Sequence, residues 1–207
     1  MLDLEEQQQL EELKIWWKRY GNIVLTIVFV IIASVIGFQY WREHVAYQAK
    51  EAAAVDVAMH NAYIEKNMNL VKAYGGQLIQ KYGNTAYASR AALLLATVNH
   101  KAGDDKSALA QLNWLVSHSR DSNLVAVAKI REASILLGTK QYEAALKSLA
   151  GGGPGAFSFL YDDMRGDIYH AMGRDDEARS SWNKSLNEMD AANKYRQLVQ
   201  MKLDALG

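Results

Sequence analysis

The composition of this 207-residue chain excludes several classes of protein. It contains no cysteine, which excludes disulfides, zinc–thiolate sites and thiol nucleophiles. Its 23 basic and 23 acidic side chains balance, and no run of like charge is longer than three residues, so the chain has no basic patch of the kind that binds nucleic acid.

Residues 4–20 are predicted to form a short amphipathic helix. Leu10, Leu13 and Trp17 share one helical face, and glutamates occupy another. The segment is too short to fold alone. We therefore expect a solvated arm, with contact to the membrane surface or to a partner as the alternatives.

The stretch 21–38 has the length and composition of a membrane-spanning helix. Twelve of its 18 residues are Ile, Val, Leu or Phe, and no charge occurs between Arg19 and Arg42. A helix of this length spans roughly 27 Å, close to the ~30 Å hydrocarbon core of a bilayer. Tryptophan and tyrosine flank both ends, as suits the headgroup regions. We therefore predict one transmembrane helix over residues 21–41. A buried core helix is the first alternative, and it is seldom apolar all round. A cleaved signal peptide is the second, but no Ala-x-Ala site follows the stretch.

Basic residues near the span predict its orientation. Lys14, Lys18 and Arg19 flank the N-terminal end, whereas Arg42 and Lys50 flank the other. The bases nearest the membrane favour a cytoplasmic N-terminus.

Two small residues inside the span form a candidate packing position. Ala33 and Gly37 lie four apart, a spacing at which small side chains let another helix approach closely. A single pair of this kind is also common by chance, so it stands as a candidate.

From residue 42 onward the pattern is a series of helices separated by short polar breaks. Residues 46–64 are rich in alanine and lack Gly and Pro, so the anchor helix is predicted to continue into the domain. Seven breaks leave about eight helices, and no segment alternates with the period of a strand. The breaks are predicted at residues 66–69, 83–85, 103–105, 118–123, 138–141, 151–155 and 173–175.

Small residues recur with a period of about 35. They are spaced by 37 and 33 positions on the first helix of each copy, and alanines on the second helix keep the same spacing. The two sets are Ala96, Ala133 and Gly166, then Ala108, Ala145 and Ala178. Small residues let the helices of a hairpin pack closely, while Leu112, Leu149 and Trp182 are predicted to fill the space between hairpins. Gly103 and Gly173 are predicted to be left-handed helix caps.

This pattern resembles the tetratricopeptide repeat, in which helical hairpins must stack to bury their faces. The best copy carries Gly166, Tyr169, Gly173 and Ala178, although the usual early aromatic and the terminal Pro are missing. Residues 47–82 are predicted to form a fourth, degenerate hairpin. The predicted fold class is all-α, with a single N-terminal transmembrane helix followed by a tetratricopeptide-like helical-hairpin solenoid. A generic helical bundle is the alternative.

Four segments carry a resemblance to a known family. They are Trp-Trp-Lys-Arg-Tyr-Gly at residues 16–21, the span, Tyr-Trp-Arg-Glu-His at residues 40–44 and Gly-Asn-Thr-Ala-Tyr-Ala at residues 83–88. Together with the length and the single anchor, they resemble the YfgM family of ancillary subunits of the bacterial Sec translocon. The resemblance implies an inner-membrane protein with a cytoplasmic arm over residues 1–20 and a periplasmic repeat domain over residues 42–207.

The resemblance also implies partners. These are the SecYEG translocon, a membrane-anchored periplasmic prolyl-isomerase-like chaperone, and unfolded secretory chains that pass between them. The expected function is an ancillary translocon subunit that links secreted proteins to chaperones through its repeat domain. The alternative is a regulatory tether whose cytoplasmic arm sequesters a stress-response regulator.

No catalytic constellation is found, so we predict a non-enzymatic protein without cofactor or metal. The Gly-rich run 151–155 lacks the Gly-Lys-Ser/Thr of a phosphate loop, and the acidic runs 162–163 and 175–177 lack the alternating spacing of a calcium loop. The histidines form no ligand pair on one helix. They are His44, His60, His100, His118 and His170.

The first helices of the copies are predicted to line a concave groove. Two sets of candidates mix apolar and polar side chains, and a third is acidic. The sets are Arg90, Leu93, Thr97 and His100; Val127, Ile130, Ser134 and Leu137; and Leu160, Asp163, Asp167 and His170. Leu93 and Thr97 replace the Lys and Asn with which related domains clamp a C-terminal carboxylate. The groove is therefore expected to suit an extended or helical protein segment, unless some of these side chains are core.

Overall fold

The structure is a computed structural model that describes the backbone of residues 4–207 and the side chains of residues 9–207. This range contains nine α-helices, one short 3-10 helix and no strand, which confirms the all-α prediction. The first three residues of the predicted arm lie outside it. The elements are α1 (Leu4–Ile64), α2 (Met68–Lys81), α3 (Ala86–Lys101), α4 (Asp105–His118), α5 (Ser122–Gly138), α6 (Tyr142–Ser148), the 3-10 helix (Gly155–Phe157), α7 (Ser158–Ala171), α8 (Asp175–Glu188) and α9 (Arg196–Ala205).

The long first helix carries the apolar stretch. By length and composition alone, the part of α1 over Gln9–Ile64 is long and apolar enough to cross a membrane, and it is the one such helix in the described chain. Its apolar side chains are exposed, with Phe29 at 72% and Ile36 at 63%. A helix that is apolar all round and uncovered by protein has the properties of a bilayer span. The chain divides into two compact units, Met1–Gln48 and Ala49–Gly207.

The seven predicted breaks all occur within two residues of their predicted positions. Four of them are the same turn. Lys66, Gly103, Lys140 and Gly173 each adopt a left-handed conformation, with φ of 58°, 79°, 59° and 73°. After each of them, the next N–H donates to a carbonyl five residues back at 2.8 to 2.9 Å, closing a Schellman motif. Four hairpins therefore repeat, including the predicted degenerate one.

The close approach predicted at small residues is present in the hairpins. Ala96, Ala133, Ala108, Ala145 and Ala178 are at most 2% exposed. A Cβ at Gly166 would lie 2.3 Å from Nε1 of Trp182, so no other residue fits there without displacing that indole.

Leu112 and Leu149 fill the space between hairpins as predicted. Trp182, by contrast, packs against Gly166 of its own hairpin and against α9. Leu112 and Leu149 are fully buried, and Trp182 is 2% exposed. Each such side chain contributes about 1.5 to 3 kcal/mol of burial, so stacking of the copies supplies the core that no single hairpin has.

The first hairpin solves the same packing problem in another way. Met59 and Val71 stand where the later copies carry small residues, and both are buried. The close contact is moved to Gly75, where an added Cβ would lie 2.8 Å from Met59 and from Leu95. Gly75 thus makes room for the larger side chain of Met59, and this exchange of positions explains why the copy is hard to recognise in the sequence.

The prediction of about eight helices missed an eighth break at residues 189–195 and the helix α9 that follows it. In α9, Val199 and Leu203 are buried in a cluster with Trp182 and Met189. The carbonyl of Met189 accepts a hydrogen bond of 2.9 Å from Arg196, which fixes the bend. The helix packs on α8 and covers the exposed end of the stack, as terminal repeats require.

Candidate functional groove

The N-terminal half of the repeat domain contains an open groove of about 770 Å³. It is lined by residues 56–61 at the end of α1, by α3 and by α5. Three predicted residues, Arg90, Leu93 and Thr97, line it. A smaller cavity of about 190 Å³ adjoins it and brings in His100 and Ser134, so five candidates of the first two sets lie along one surface.

Three other candidates of the second set are partly buried. Ile130 and Leu137 pack against the core cluster that contains Ala133 and Leu149, so they serve the core at least in part. Val127 is also partly buried and does not line either cavity.

Three groove residues with ionisable side chains escaped prediction. Asp56 and His60 come from the end of α1, and Arg131 comes from α5. A signal for two of them exists in the sequence. Asp56 precedes Arg90 by 34 positions, and Thr97 precedes Arg131 by the same number, which is close to the average repeat length of about 35.

Basic side chains link neighbouring first helices at this spacing. Arg90 donates to Asp56 at 2.8 Å, and Arg131 Nη1 donates to Thr97 Oγ1 at 2.7 Å. Exposed links of this kind contribute about 0 to 1 kcal/mol each, so they set the geometry more than the stability of the groove.

Arg131 supplies the groove with a positive charge that is not paired with a carboxylate in the described structure. It reaches the hydroxyl of Thr97 and the carbonyl of Leu93, at 2.7 and 3.4 Å. Within residues 9–207 no carboxylate lies within 4.0 Å of its guanidinium, whereas Arg90 is paired with Asp56. The groove therefore offers apolar surface from Leu93 beside one cation able to bind an incoming carboxylate or carbonyl.

The acidic third set does not form an open surface. Asp163 has a side chain only 4% exposed, which accepts from Lys202 at 2.8 Å and from the hydroxyl of Tyr195 at 2.7 Å. Asp167 accepts from the same ammonium at 2.6 and 2.8 Å. The indole of Trp182 donates to Asp167 and to the carbonyl of Asp163, both at 3.2 Å. These carboxylates are partners of α9 rather than groove residues.

Burial perturbs two groups of this network. It raises the pKa of Asp167, although the hydrogen bond from Lys202 acts in the opposite direction. Burial also raises the pKa of Tyr195 well above its usual range, and the hydrogen bond to Asp163 adds to the effect. Both shifts belong to structural contacts.

The other two residues of the third set lie outside the network. Leu160 is partly buried, and His170 is exposed. His170 contacts Asp175 at 2.9 Å, just as His100 contacts Asp105 at 2.5 Å two hairpins earlier. These His–Asp contacts join the end of one helix to the start of the next, which is a structural role.

The acidic and Gly-rich runs also have local structural roles. Asp162 pairs with Arg165 and Lys184, both at 2.9 Å. Gly151 and Gly152 adopt positive φ in the connection that follows α6. Among the residues with described side chains, no group of three or more His, Asp or Glu is placed to hold a metal ion.

Ala33 and Gly37 lie on exposed helix in the first unit. A Cβ added at Gly37 would meet nothing within 4 Å, so this face of α1 leaves room for another helix. Its use in packing remains a prediction.

Comparisons with known proteins agree with this architecture. A family profile described as a tetratricopeptide repeat-like domain matches residues 14–207. Relatives named ancillary SecYEG translocon subunit occur in Neisseria gonorrhoeae, at 31% identity over 98% of both chains, and in Haemophilus influenzae, at 27% over 98% of both. The relative of that name in Escherichia coli K12 is 26% identical over 97% of this chain and 96% of its own. No solved structure matches the chain. The chain therefore belongs to the YfgM family, whose members are named ancillary SecYEG translocon subunits and carry a tetratricopeptide repeat-like domain.

Proposed function

We propose that this protein is a membrane-anchored, non-enzymatic subunit of a Sec translocon that passes secreted chains to periplasmic chaperones. The observation that carries the proposal is the open groove between α1, α3 and α5, which combines apolar surface with the available cation of Arg131. Such a surface suits reversible contact with an extended or helical protein segment.

In this proposal, the anchor holds the groove near the secreted chains that it contacts. The exposed apolar stretch of α1 fits an inner-membrane protein, and the bases nearest the span favour a type II orientation with the repeat domain in the periplasm. Tethering beside a translocon raises the effective concentration of the groove to the millimolar range for short linkers, so weak contacts suffice. A chain held weakly can be released to a membrane-anchored prolyl-isomerase-like chaperone.

Site-specific photo-crosslinking in living cells tests the proposal. The probe is placed in turn at Val57 and Leu93 in the groove, at Val35 in the span, and at Ala144, an exposed position of α6, as the matched control. We expect many unfolded secretory chains at Val57 and Leu93 but not at Ala144, and translocon adducts at Val35. A single folded partner at the groove positions would make the domain a docking scaffold, and no translocon adduct from Val35 would contradict the proposed location.

A second candidate function is a regulatory tether, favoured by the N-terminal arm. Leu10, Leu13 and Trp17 are 47%, 59% and 51% exposed beside several glutamates, so the arm presents an amphipathic face to a partner such as a stress-response regulator. Deleting residues 2–12 separates the two functions. Loss of regulation with intact secretion would support the tether, and an unchanged stress response would contradict it.

A further inference from the structure

A second recess lies at the turn of the first hairpin, on residues that the groove does not use. It has a volume of about 560 Å³, within the range of roughly 300 to 1,000 Å³ found for ligand sites. Its lining is apolar at Tyr63, Ile64, Met68 and Val98, and Ile64 is 68% exposed.

Three lysines, Lys66, Lys72 and Lys101, surround this apolar lining. Within residues 9–207 no carboxylate lies within the 4.0 Å ion-pair distance of any of the three, although nine such pairs occur elsewhere. Asp104 lies close enough to Lys72 for the two charges to interact, and its carboxylate also accepts from the N–H of Ser107 at 3.0 Å. The recess therefore places three ammonium groups, none of them in a direct ion pair within residues 9–207, around apolar surface.

The repeat itself does not require this composition. One repeat later, the positions of the three lysines are occupied by Gly103, Leu109 and Gly138. Lys66 shares its left-handed turn position with Lys140 of the third hairpin, so a lysine recurs at this turn. Lys72 and Lys101, by contrast, are not explained by hairpin packing.

The apolar lining is equally particular to this end of the domain. Tyr63 and Met68 occupy the positions at which the second hairpin has the contacting pair His100 and Asp105. A polar contact that closes the later turn is thus replaced by an apolar contact that leaves a recess. The concave shape favours an inserted side chain over burial in a bilayer, which needs a protruding apolar surface.

We propose that this recess, hereafter the lysine recess, docks an acidic segment of a partner protein that inserts a large apolar side chain between the three ammonium groups. Charge complementarity indicates the partner chemistry, because carboxylates on the incoming segment can pair with all three lysines while its apolar side chain fills the recess. The site is separate from the groove between α1, α3 and α5, so it does not rest on the proposed handling of secretory chains. It gives the domain a second contact through which a partner can be held while a client occupies the groove.

Peptide binding to the full-length protein in nanodiscs of phosphatidylcholine tests this inference. The probe is a fluorescent peptide Glu-Asp-Leu-Trp-Asp-Glu, and its amide counterpart Gln-Asn-Leu-Trp-Asn-Gln removes the charges alone. Fluorescence anisotropy gives the dissociation constants at about 0.05 M and about 0.3 M salt, since exposed charge contacts weaken with screening.

Two triple variants separate the recess from general charge. We expect the acidic peptide to bind at least about tenfold more tightly than the amide peptide, and K66Q/K72Q/K101Q to remove that difference. K50Q/K147Q/K194Q changes three other exposed lysines and is expected to leave binding unchanged.

Several results would overturn the inference. They are no binding of the acidic peptide, equal binding of the two peptides, or equal losses in the two triple variants. With the anchor held in the phosphatidylcholine nanodisc, co-sedimentation of the unmodified protein with phosphatidylglycerol vesicles that is lost in K66Q/K72Q/K101Q, without peptide binding, would assign the recess to lipid instead.

Discussion

Arg131 and Lys202 both reach back by one repeat to the preceding first helix, yet their surroundings differ. Arg131 donates to the neutral hydroxyl of Thr97 and lines two cavities. Lys202 donates to Asp163 and Asp167, which occupy the positions of Leu93 and Thr97 two repeats later. At the open end of the domain, in the groove, the basic side chain is thus exposed and has no carboxylate partner among the described residues, whereas at the closed, C-terminal end it is covered and paired with two carboxylates. The repeat therefore sets where these side chains lie, and their neighbours decide whether they can bind a partner or fasten the terminal helix.

The largest effect is expected from breaking the closed end with Lys202→Met. The substitution leaves Asp163, whose side chain is 4% exposed, with Tyr195 as its one remaining side-chain donor in the described structure, and deprives Asp167 of its cation. Removing one partner of a buried pair is strongly destabilising, so we expect a loss of about 3 kcal/mol.

Urea unfolding of the full chain in detergent, followed by circular dichroism, measures this loss. Lys194→Met is the control, because Lys194 is exposed and forms no ion pair within residues 9–207. Equal midpoints for the two variants would show that the network does not fasten α9.

A smaller but still large effect is expected from Gly166→Ala. The added Cβ would lie 2.3 Å from Trp182, so the indole has to move away from Asp163 and Asp167. Overpacking of this kind costs about 1 to 3 kcal/mol.

Gly138→Ala is the matched control for Gly166→Ala. Its added Cβ would meet nothing within 4 Å, and we expect it to be neutral or to stabilise by up to about 1 kcal/mol, as Ala does relative to Gly in a helix. Similar unfolding midpoints for Gly166→Ala and the unmodified protein would show that the hairpin can separate at little cost.

Much of this comparison was accessible from the sequence. The spacing of Ala96, Ala133 and Gly166 predicts the hairpins, because close helix packing admits few residue types. Gly103 and Gly173 mark their turns because glycine favours positive φ. Two equivalent turns, at Lys66 and Lys140, could not be predicted this way, since tertiary packing imposes the same conformation on lysine there.

The closed end could not be predicted from the repeat pattern. Asp163 and Asp167 have the period of groove residues, and their burial depends on Lys202, which lies 39 and 35 positions later on a helix without a repeat signature. Period predicts which face a residue occupies, whereas burial also depends on what covers that face. Groove residues from the degenerate first hairpin, Asp56 and His60, escaped for the complementary reason that their repeat signal is weak.

The pH dependence of the closed end sharpens the comparison through Tyr195→Phe. The tyrosine hydroxyl donates to Asp163, and its pKa is raised by burial first and by that hydrogen bond second. Because the folded form holds the proton more tightly, the stabilisation is complete below the ordinary tyrosine pKa of about 10 and is lost as pH rises above it.

We expect the unmodified protein to be more stable than Tyr195→Phe by about 1 kcal/mol near neutral pH, the size of one hydrogen bond. This difference should shrink as pH rises above about 10. Urea midpoints measured for both proteins across this range provide the check. A difference that stays constant with pH would show that the hydroxyl does not carry the stabilisation.

The smallest effect on stability is expected at the open end, from Arg131→Met. The exposed side chain donates only to the hydroxyl of Thr97 and, at longer distance, to the carbonyl of Leu93, so the free energy of unfolding should change by less than about 0.5 kcal/mol. Binding should respond instead, because the variant removes the available cation from the groove. With the photo-probe at Leu93, we expect capture of an unfolded precursor to fall about two- to fivefold, and to fall less when the acidic residues of that precursor are changed to amides. Equal losses of capture for both precursors would mean that Arg131 shapes the groove without binding acidic residues. A loss of stability as large as that of Lys202→Met would show that the two ends of the domain do not differ as the structure indicates.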